Sequence, residues 1–311
     1  MPRLTIRAAA LVAAGAMLTA TGSAQSSDRK IVKMQTLNVR DILYVLTGGG
    51  GNTLALMRDD GVVLIDTKMP GWGKSILDTV QAVTDRPITA IINTHAHPDH
   101  VGGNVDFTGV PTIVAHERTK AAMQKMSVFS GAGAKSLPNT LVTDRYSMLE
   151  GQDRIDVYYF GRGHTDGDLV VVFPEKRLAH LGDLFPAKAA PFIDAANGGS
   201  AVELPKTLAR IVSEIKGVFR VTTGHDEASL VPPNAESGSA IFANSRTMTG
   251  NDLQEFADFN RDFLAAVQQA IAAGKTAAQA FATLQMPERY KSYDMQQAKA
   301  NVELIYRELG K

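Results

Sequence analysis

The stretch "NTHAHPDHVGG", residues 93–103, places three histidines and an aspartate within six positions, and it follows the predicted strand "ITAII". Protonated imidazoles this close would repel one another, and buried neutral ones would each need a hydrogen-bond partner. A bound metal ion removes both difficulties, because neutral imidazole and carboxylate groups are common metal ligands. We therefore predict that His95, His97, Asp99 and His100 bind metal.

Three further candidate ligands lie at the ends of other predicted strands, in loops that contain glycine. His164 follows the strand "DVYYF", Asp183 ends the strand "RLAHLGD", and His225 follows the strand "VFRVTTG". Functional side chains usually lie on loops held by a rigid scaffold, and strand ends at one edge of a sandwich can converge. The chain has no cysteine, which excludes thiolate ligands and a cysteine nucleophile. The sequence therefore predicts one metal centre built from imidazole and carboxylate groups.

The strand signals fall into two groups, and each group is followed by helical patterns. The first group includes "NTLALMRDDGVVLIDT", in which an Asp-Gly turn predicts a hairpin, and the second includes "RIDVYYF" and "DLVVVFP". Apolar residues recur at helical spacing in "GWGKSILDTVQAV" and in "VELPKTLARIVSEIKG", where Gly217 is predicted to end the helix. This order predicts two sheets packed face to face with helices outside.

The strand signal stops at about residue 251, where helical patterns begin with "DLQEFADFNRDFLAAVQQAIAAG". We predict a catalytic domain over residues 31–245 and a C-terminal helical extension over residues 251–311. Apolar stripes on helices mostly face a core, so docking of the extension onto the catalytic domain is favoured. The alternative is that these helices form the interface of a homo-oligomer.

The first 24 residues resemble a secretory signal peptide. Arg3 and Arg7 precede the short apolar run "AAALVAAGAMLTATG", and small residues before Gln25 predict cleavage after Ala24. The run is too short to favour a stable membrane anchor. We therefore expect a periplasmic or secreted protein. The chain has 32 basic and 32 acidic residues, a balance that gives no general attraction for nucleic acid.

The motifs "HAHPDH", "GHTDGD", "LGD" and "TGHD", in this order, resemble those of the metallo-β-lactamase superfamily. The resemblance covers roughly residues 40–230. It implies an α+β fold, the four-layer αββα sandwich, here followed by the C-terminal helical extension. The segment "VVLIDT" also matches, and the resemblance implies that its aspartate, Asp66, lies under the metal-binding loop and orients it.

The resemblance implies two zinc ions per chain, although iron or manganese is compatible with the same ligand types. By position, His95, His97 and His164 would bind the first ion, and Asp183 would bridge both ions. The ligands of the second ion would be Asp99, His100 and His225. Asp99 is also the predicted catalytic residue, because its carboxylate would orient a hydroxide that bridges the two metals.

The ligand set with an aspartate bridge and without cysteine is similar to that of the glyoxalase II and lactonase branches of the superfamily. We therefore predict an exported hydrolase that cleaves a small ester, lactone, thioester or lactam. Two alternatives stay open: a β-lactamase proper, and a sulfur dioxygenase of the same fold that uses a single iron. The expected partner is a small-molecule substrate.

The remaining histidines and some loops have less specific roles. His116 is expected at the surface or as a helix cap, and His180 as a packing residue or as support for a ligand. Asp168 either braces the loop of His164 or only forms a turn.

Substrate contacts are expected from three loops: "TGGGGN" (Thr47–Asn52), the Gly- and Ser-rich segment 127–140, and "APFIDAANGG" (190–199). The segment 127–140 is predicted to be mobile, and the glycines of the first loop serve either close substrate approach or a flexible hairpin. Trp72 and Phe192 could line the site, but burial in the core is favoured for both.

Overall fold

The computed structural model describes residues 33–36, 42–225 and 248–311. The predicted signal peptide, residues 1–24, lies outside the described residues, as do residues 226–245 of the predicted catalytic domain. No helix among the described residues combines the length and the apolar character that crossing a membrane requires.

The described strands form two sheets that pack face to face. The strands of the first sheet, in spatial order, are β1 (Lys33–Thr36), β2 (Leu43–Thr47), β3 (Thr53–Arg58), β4 (Gly61–Ile65), β5 (Ile88–Ile92), β6 (Thr112–His116) and β7 (Thr140–Val142). The second sheet has the order β13 (Met248–Thr249), β12 (Arg220–Thr222), β11 (Leu178–His180), β10 (Leu169–Phe173), β9 (Ile155–Tyr159) and β8 (Arg145–Met148). The predicted hairpin is the antiparallel pair β3–β4.

Helices cover the outer faces of both sheets. The helices are α1 (Gly73–Gln81), α2 (Pro98–Val101), α3 (Glu117–Met123), α4 (Leu204–Glu214), α5 (Gly250–Ala272), α6 (Ala277–Ala282) and α7 (Ala298–Glu308). Alternate residues of one strand serve two cores: Val171 faces the core between the sheets, whereas Val170 and Val172 face the outer core with α4 and α5. Strands buried on both faces read as continuous apolar runs. The predicted four-layer αββα sandwich is therefore confirmed.

The C-terminal helices share a hydrophobic core with the second sheet. Phe256, Phe263 and Val302 belong to the same buried cluster as Leu181 of the sheet end and Leu208 of α4. Strand β13 pairs with β12, so the chain enters α5 directly from the edge of this sheet. The extension thus docks onto the sandwich, as the apolar stripes favour.

Two local features add detail to the sequence predictions. The segment 127–140 contains two 3₁₀ turns, Ser127–Phe129 and Gly131–Ser136, and the buried ring of Phe129 packs beside Ala96 and Met123. The mobility expected of this segment stays a prediction. Helix α4 ends at Glu214, three residues before Gly217, and Ile215 already has an extended backbone.

The topology brings the candidate ligands to one edge of the sandwich. Strands β4, β5 and β6 run parallel, and so do β11 and β12. The carboxyl ends of parallel strands meet at one edge, where binding sites of mixed sheets are usually found. His95 follows β5, Asp183 follows β11 and His225 follows β12.

Candidate metal centre

The turn after β5 begins with extended backbone and changes to helix at a proline. His97 is extended, with φ −84° and ψ 145°, and Pro98 occupies the first position of α2. Proline suits that position because its fixed φ is already helical and its missing N–H is not needed there. After this change of direction, Asp99 and His100 belong to a different group of candidate ligand atoms from His95 and His97, although the ring centroids of His95 and His100 lie 4.1 Å apart.

The first cluster of candidate ligands consists of His95, His97, His164 and Asp183. Their ligand atoms all lie within 4.8 Å of one another. His164 Nε2 is 3.0 Å from His97 Nδ1 and 3.6 Å from Asp183 Oδ2, and His95 Nε2 is 3.8 Å from the same carboxylate oxygen. Three imidazoles and one carboxylate thus converge on one small volume.

The second cluster consists of Asp99, His100 and His225, again with ligand atoms within 4.8 Å of one another. His225 Nε2 lies 3.4 Å from Asp99 Oδ2 and 3.3 Å from His100 Nε2. Asp183 also reaches this cluster: its Oδ2 is 3.3 Å from His225 Nε2 and its Oδ1 is 3.4 Å from His100 Nε2. The grouping agrees with the division predicted from the sequence, with Asp183 between the two clusters.

The ring nitrogens that point away from the clusters have hydrogen-bond partners. His95 Nδ1 is 3.0 Å from Thr94 Oγ1, and His164 Nδ1 donates to the carbonyl oxygen of Phe192 at 2.8 Å. His97 Nε2 is 2.8 Å from Asp194 Oδ2. Partners of this kind fix the tautomer and the ring orientation of metal-binding histidines.

This arrangement fits a metal ion better than an empty cluster. Because the outer nitrogens of His97 and His164 donate hydrogen bonds, the neutral rings point two lone pairs at each other over 3.0 Å. A cation between them removes the repulsion. In tetrahedral geometry, two nitrogens bound to one zinc ion are separated by about 3.3 Å. Buried polar groups normally have a hydrogen-bond partner. His95 Nε2 and Asp183 Oδ1 are two of the six buried side-chain atoms of the described residues that have none.

The electrostatics of the cluster show how strongly it attracts positive charge. Burial opposes a charge on His100, but the carboxylates of Asp183 and Asp66 outweigh it and raise the pKa of His100 to about 9. Burial also opposes ionisation of Asp183, yet the neighbouring His100 holds the pKa of that carboxyl well below its usual range. Burial and then the nearby His100 hold the pKa of His95 well below its usual range. Without a metal ion, Asp183 is therefore ionised and His95 is neutral, whereas His100 holds a proton between the two carboxylates.

Asp66 lies beneath the metal-binding loop, where the resemblance places it. Its carboxylate is fully buried and accepts hydrogen bonds from Thr94 N at 2.8 Å, Thr94 Oγ1 at 2.7 Å and His100 Nδ1 at 2.7 Å. Its backbone has a φ of +61°, a region that few residues other than glycine adopt. Asp66 therefore orients His100 and holds the start of the loop.

Phe192 and Asp194 differ from what the sequence predicts. The side chain of Phe192 is 52% exposed rather than in the core, and its ring centroid lies 6.0 Å from that of His97 and 5.8 Å from that of His164. Asp194 was missed as a group that orients His97. Its position in "IDAANGG" indicates only a turn, which its Oδ1 also forms by accepting from Ala196 N.

The loop Gly48–Asn52 packs against the second cluster. A methyl group at Gly50 would lie 2.8 Å from Cβ of Asp99, and one at Gly51 would lie 2.4 Å from the ring of His100. Asn52 N donates to the carbonyl of Gly224 at 2.7 Å, beside His225. Glycine is therefore needed at these positions so that the backbone can lie against the candidate ligands, which explains these glycines better than hairpin flexibility does.

Trp72 lies next to this loop and is only partly buried. A methyl group at Gly49 would lie 2.3 Å from the indole ring, so glycine is required for this contact as well. The expectation that Trp72 lies in the core is therefore wrong. Its ring packs against the glycine loop at the edge of the site.

Hydrogen bonds show the roles of His116, His180 and Asp168. His116 Nδ1 accepts from Arg118 N at 3.2 Å and caps α3, as predicted, although the side chain is buried. His180 is a packing residue whose Nδ1 lies 3.0 Å from Thr222 Oγ1. Asp168 braces the loop of His164, since its carboxylate accepts from both the backbone N and the hydroxyl of Thr165.

Lys68, which could not be predicted from the sequence, is fully buried beside the second cluster. Its Nζ donates to the carbonyl of Gly51 at 2.6 Å and to that of Leu46 at 2.9 Å. Burial lowers its pKa from 10.5 to about 7, and the nearby Asp66 and Asp99 only partly oppose this shift. Buried lysines are rare, and nothing in the local sequence indicates one here.

The buried ammonium of Lys68 predicts a pH-dependent stability difference in the metal-free protein. Between about pH 7 and pH 10.5 the unfolded state binds more protons at Lys68 than the folded state, so the stability should rise with pH in this range. Lys68→Met should lack this rise. Urea unfolding of both proteins at pH 7, 8, 9 and 10 measures it. The exposed Lys74 provides a control, Lys74→Met, which should retain the rise. If the difference in the free energy of unfolding between the wild type and Lys68→Met does not change with pH, the lowered pKa of Lys68 is contradicted.

Comparison with known proteins places these observations in a family. The model of the metallo-beta-lactamase superfamily matches residues 46–262, more than two thirds of the chain. The chain is 30% identical over 153 residues to the alpha subunit of a 2,4-dinitroanisole O-demethylase from Nocardioides sp. (strain JS1661), a match that covers 48% of this chain and 46% of the subunit. The chain thus spans about half the length of that relative.

A second relative and two solved structures agree with this match. The metallo-beta-lactamase IND-1 of Chryseobacterium indologenes is 25% identical over 182 residues, which cover 57% of this chain and 72% of that protein. The structure of metallo-beta-lactamase IND-7 has a TM-score of 0.54 at 20% identity and covers 73% of this chain and 97% of its own.

A double mutant of the sec-alkyl sulfatase PisA1 has a TM-score of 0.66 at 15% identity and covers 86% of this chain and 49% of its own. At these identities the two structures establish the fold alone. The family match covers the ligands described above, and it supports the prediction of a metal-dependent hydrolase. From its matched residues, its two-sheet fold and its clustered imidazole and carboxylate groups, the chain belongs to the metallo-beta-lactamase superfamily.

Proposed function

We propose that this protein is an exported dinuclear zinc hydrolase that cleaves a small ester, lactone, thioester or lactam. The position of Asp183 carries the proposal, because its carboxylate lies within 3.3–3.8 Å of histidine nitrogens from both clusters. A carboxylate between two sets of imidazoles is suited to bridge two ions. Export is proposed from residues 1–24 of the sequence.

His95, His97 and His164 would hold the first ion, Asp99, His100 and His225 the second, and Asp183 both. Bound metal ions supply a nucleophile from water at neutral pH and polarise the bond to be cleaved. The side chains of Asp99 and His225 are 28% and 26% exposed, whereas those of His95 and His100 are buried. Water and substrate therefore reach the centre from the side of Asp99, whose carboxylate can orient the attacking water and accept its proton.

The exposed ring of Phe192 gives the first cluster an apolar neighbour, next to His97 and His164. An apolar group on the substrate, beside the bond to be cleaved, would remove this ring from water on binding. Burial of this kind stabilises a complex by about 25 cal/mol for each Å² of apolar surface. We therefore propose substrates that carry an apolar acyl or alkyl group.

The variant Phe192→Ala is expected to raise KM about tenfold for an ester with an apolar acyl group, and to change kcat little, because it removes uniform binding. KM for the acetyl ester of the same alcohol should change much less. Phe219→Ala is the matched control, since Phe219 is 61% exposed but precedes β12, at the opposite end of that strand from His225. An equal rise in KM for both esters would argue against an apolar subsite at Phe192.

A β-lactamase proper is the second candidate, and it is favoured by the relatives that carry this name. The absence of cysteine and the presence of Asp183 favour the ester, lactone and thioester branches instead. An iron-dependent sulfur dioxygenase is disfavoured by the second cluster, which such an enzyme would not need.

Metal analysis of the purified protein followed by a substrate panel tests the proposal. We expect two zinc ions per chain and turnover of at least one ester, lactone or thioester. The panel includes a β-lactam, a persulfide and 2,4-dinitroanisole, the compound in the name of one relative. One iron per chain with persulfide oxidation would replace the proposal by a sulfur dioxygenase, and turnover of the β-lactam alone would narrow it to a β-lactamase proper.

A further inference from the structure

The segment 187–201, between Asp183 and α4, contacts two candidate ligands of the first cluster. The carbonyl oxygen of Phe192 accepts from His164 Nδ1, and the carboxylate of Asp194 bonds to His97 Nε2. Asp194 N in turn donates to the carbonyl of His164 at 2.8 Å. The position of this segment therefore decides how two of the three imidazoles of the first cluster are oriented.

The C-terminal helical extension holds this segment at its beginning and middle. Asn301 Nδ2, on α7, donates to the carbonyl of Pro191 at 2.9 Å, across 110 positions of the chain. Ala190 N donates to the carbonyl of Asp294 at 2.7 Å, and Asp294 N donates to the carbonyl of Lys188 at 3.1 Å. Lys188, Ala190 and Pro191, just before Phe192, are thus each bonded through their backbone to the C-terminal extension.

The extension also holds the end of the segment. The carboxylate of Glu308 accepts from Ala201 N at 2.9 Å and from the hydroxyl of Ser200. Apolar packing accompanies these bonds, because Ala190 and Ile193 belong to the same buried cluster as Val302 of α7. The segment is therefore fixed by polar and apolar contacts at once.

All three anchoring residues lie beyond residue 262, where the match to the superfamily ends. They are Asp294, Asn301 and Glu308. The match to the superfamily therefore does not account for these contacts. A cap that only covered apolar surface would not need buried polar contacts to the segment that orients the histidines.

We propose that the C-terminal extension is part of the support of the first metal site, and that Asn301 is its positioning residue. The inference rests on the proposed function to the extent that the first cluster binds a metal ion. Without the amide of Asn301, the buried carbonyl of Pro191 loses its partner, and an unpaired buried group is costly. The backbone at Phe192 then moves, and His164 and His97 lose their fixed orientation.

The test compares Asn301→Ala with Asn260→Ala. Both asparagines lie on C-terminal helices, with 6% and 7% exposure, and each Nδ2 donates to a backbone carbonyl, but Asn260 bonds to Phe256 within its own helix. Zinc affinity is measured for each ion by competition with a chromophoric chelator, and thermal unfolding of the metal-free proteins is measured alongside. His164→Ala identifies which binding step belongs to the first cluster.

We expect Asn301→Ala to weaken the first ion about 10–100-fold, the range found when partners of metal-binding residues are removed. Asn260→Ala should lower the melting temperature by a similar amount and leave both affinities unchanged. If Asn301→Ala does not fold, Glu308→Ala is the second variant, and it should weaken the same ion. Glu308 is exposed, so the loss of its side chain disturbs the core little.

The outcomes separate the two proposals. If His164→Ala binds as many zinc ions as the wild type, with the same affinities, the metal assignment of the first cluster fails. If His164→Ala loses one ion, but Asn301→Ala, or Glu308→Ala in its place, binds zinc like Asn260→Ala, the metal assignment stands. The role of the extension as support of the site is then overturned.

Discussion

Asp183→Ala is expected to lower kcat/KM by more than about 100-fold and to weaken the binding of both metal ions. Removal of a partner of a metal ligand costs about 10–100-fold in affinity or activity, and loss of a shared ligand should cost more. The carboxylate of Asp183 lies 3.3 Å from His225 Nε2 and 3.6 Å from His164 Nε2, so its loss affects both clusters. Metal content after dialysis and steady-state rates on the best substrate measure the two effects.

His225→Ala provides the comparison that gives this prediction its specificity. His225 belongs to the second cluster alone, so this variant should lose the second ion and retain the first. Asp156→Ala controls for the loss of a buried carboxylate far from the site, since Asp156 lies on β9 and pairs with Arg154. If Asp183→Ala keeps its full metal content, or if both variants lose the same single ion, then Asp183 does not bind both ions.

The fold, and the clustering of the candidate ligands, could be predicted because each strand and each motif has a local signal. His95, His97, Asp99 and His100 lie within six positions, and a metal ion is the simplest physical reason for such crowding. The strands are apolar runs broken by turn residues, and their division into two groups along the chain indicated two sheets. His164, Asp183 and His225 each follow a strand, which indicated that they would meet at one edge.

The groups that support the site could not be predicted, because their positions depend on distant contacts. Phe192 is exposed, and the backbone beside it at Pro191 is held by Asn301, 110 positions away. An aromatic residue in a short apolar run is more often buried, and the sequence contains no signal against that expectation.

The burial of Lys68 could not be predicted from the sequence either. Lysine is normally exposed, but the backbone on either side of Thr67 adopts a positive φ, +61° at Asp66 and +64° at Lys68. These turns accompany the placement of the ammonium group under the loop Gly48–Asn52, where two carbonyls accept its hydrogen bonds. Left-handed backbone at residues other than glycine is rare, so composition and periodicity give no warning of it.

Asp99→Asn is expected to lower kcat and kcat/KM together, on the order of 10²–10⁴-fold, the usual contribution of a positioned acid or base. The amide has the same shape, and two contacts that hold residue 99 should persist: Gly50 packs against its Cβ, and Gly51 N donates to its backbone carbonyl oxygen at 3.2 Å. It cannot accept a proton from the attacking water as a carboxylate does. KM should change little, because the lost interaction is made only in the transition state.

Metal content decides how a loss of rate in Asp99→Asn is interpreted. Asp99 Oδ2 also lies 3.4 Å from His225 Nε2, so an amide there could weaken the second ion as well as remove the base. Rates are therefore measured over a range of added zinc. A rate that stays low at saturating zinc assigns the loss to proton transfer and water orientation by Asp99. Recovery of the full rate at high zinc would instead mean that Asp99 acts as a ligand alone, and the proton would have to leave through another group at the open side of the site.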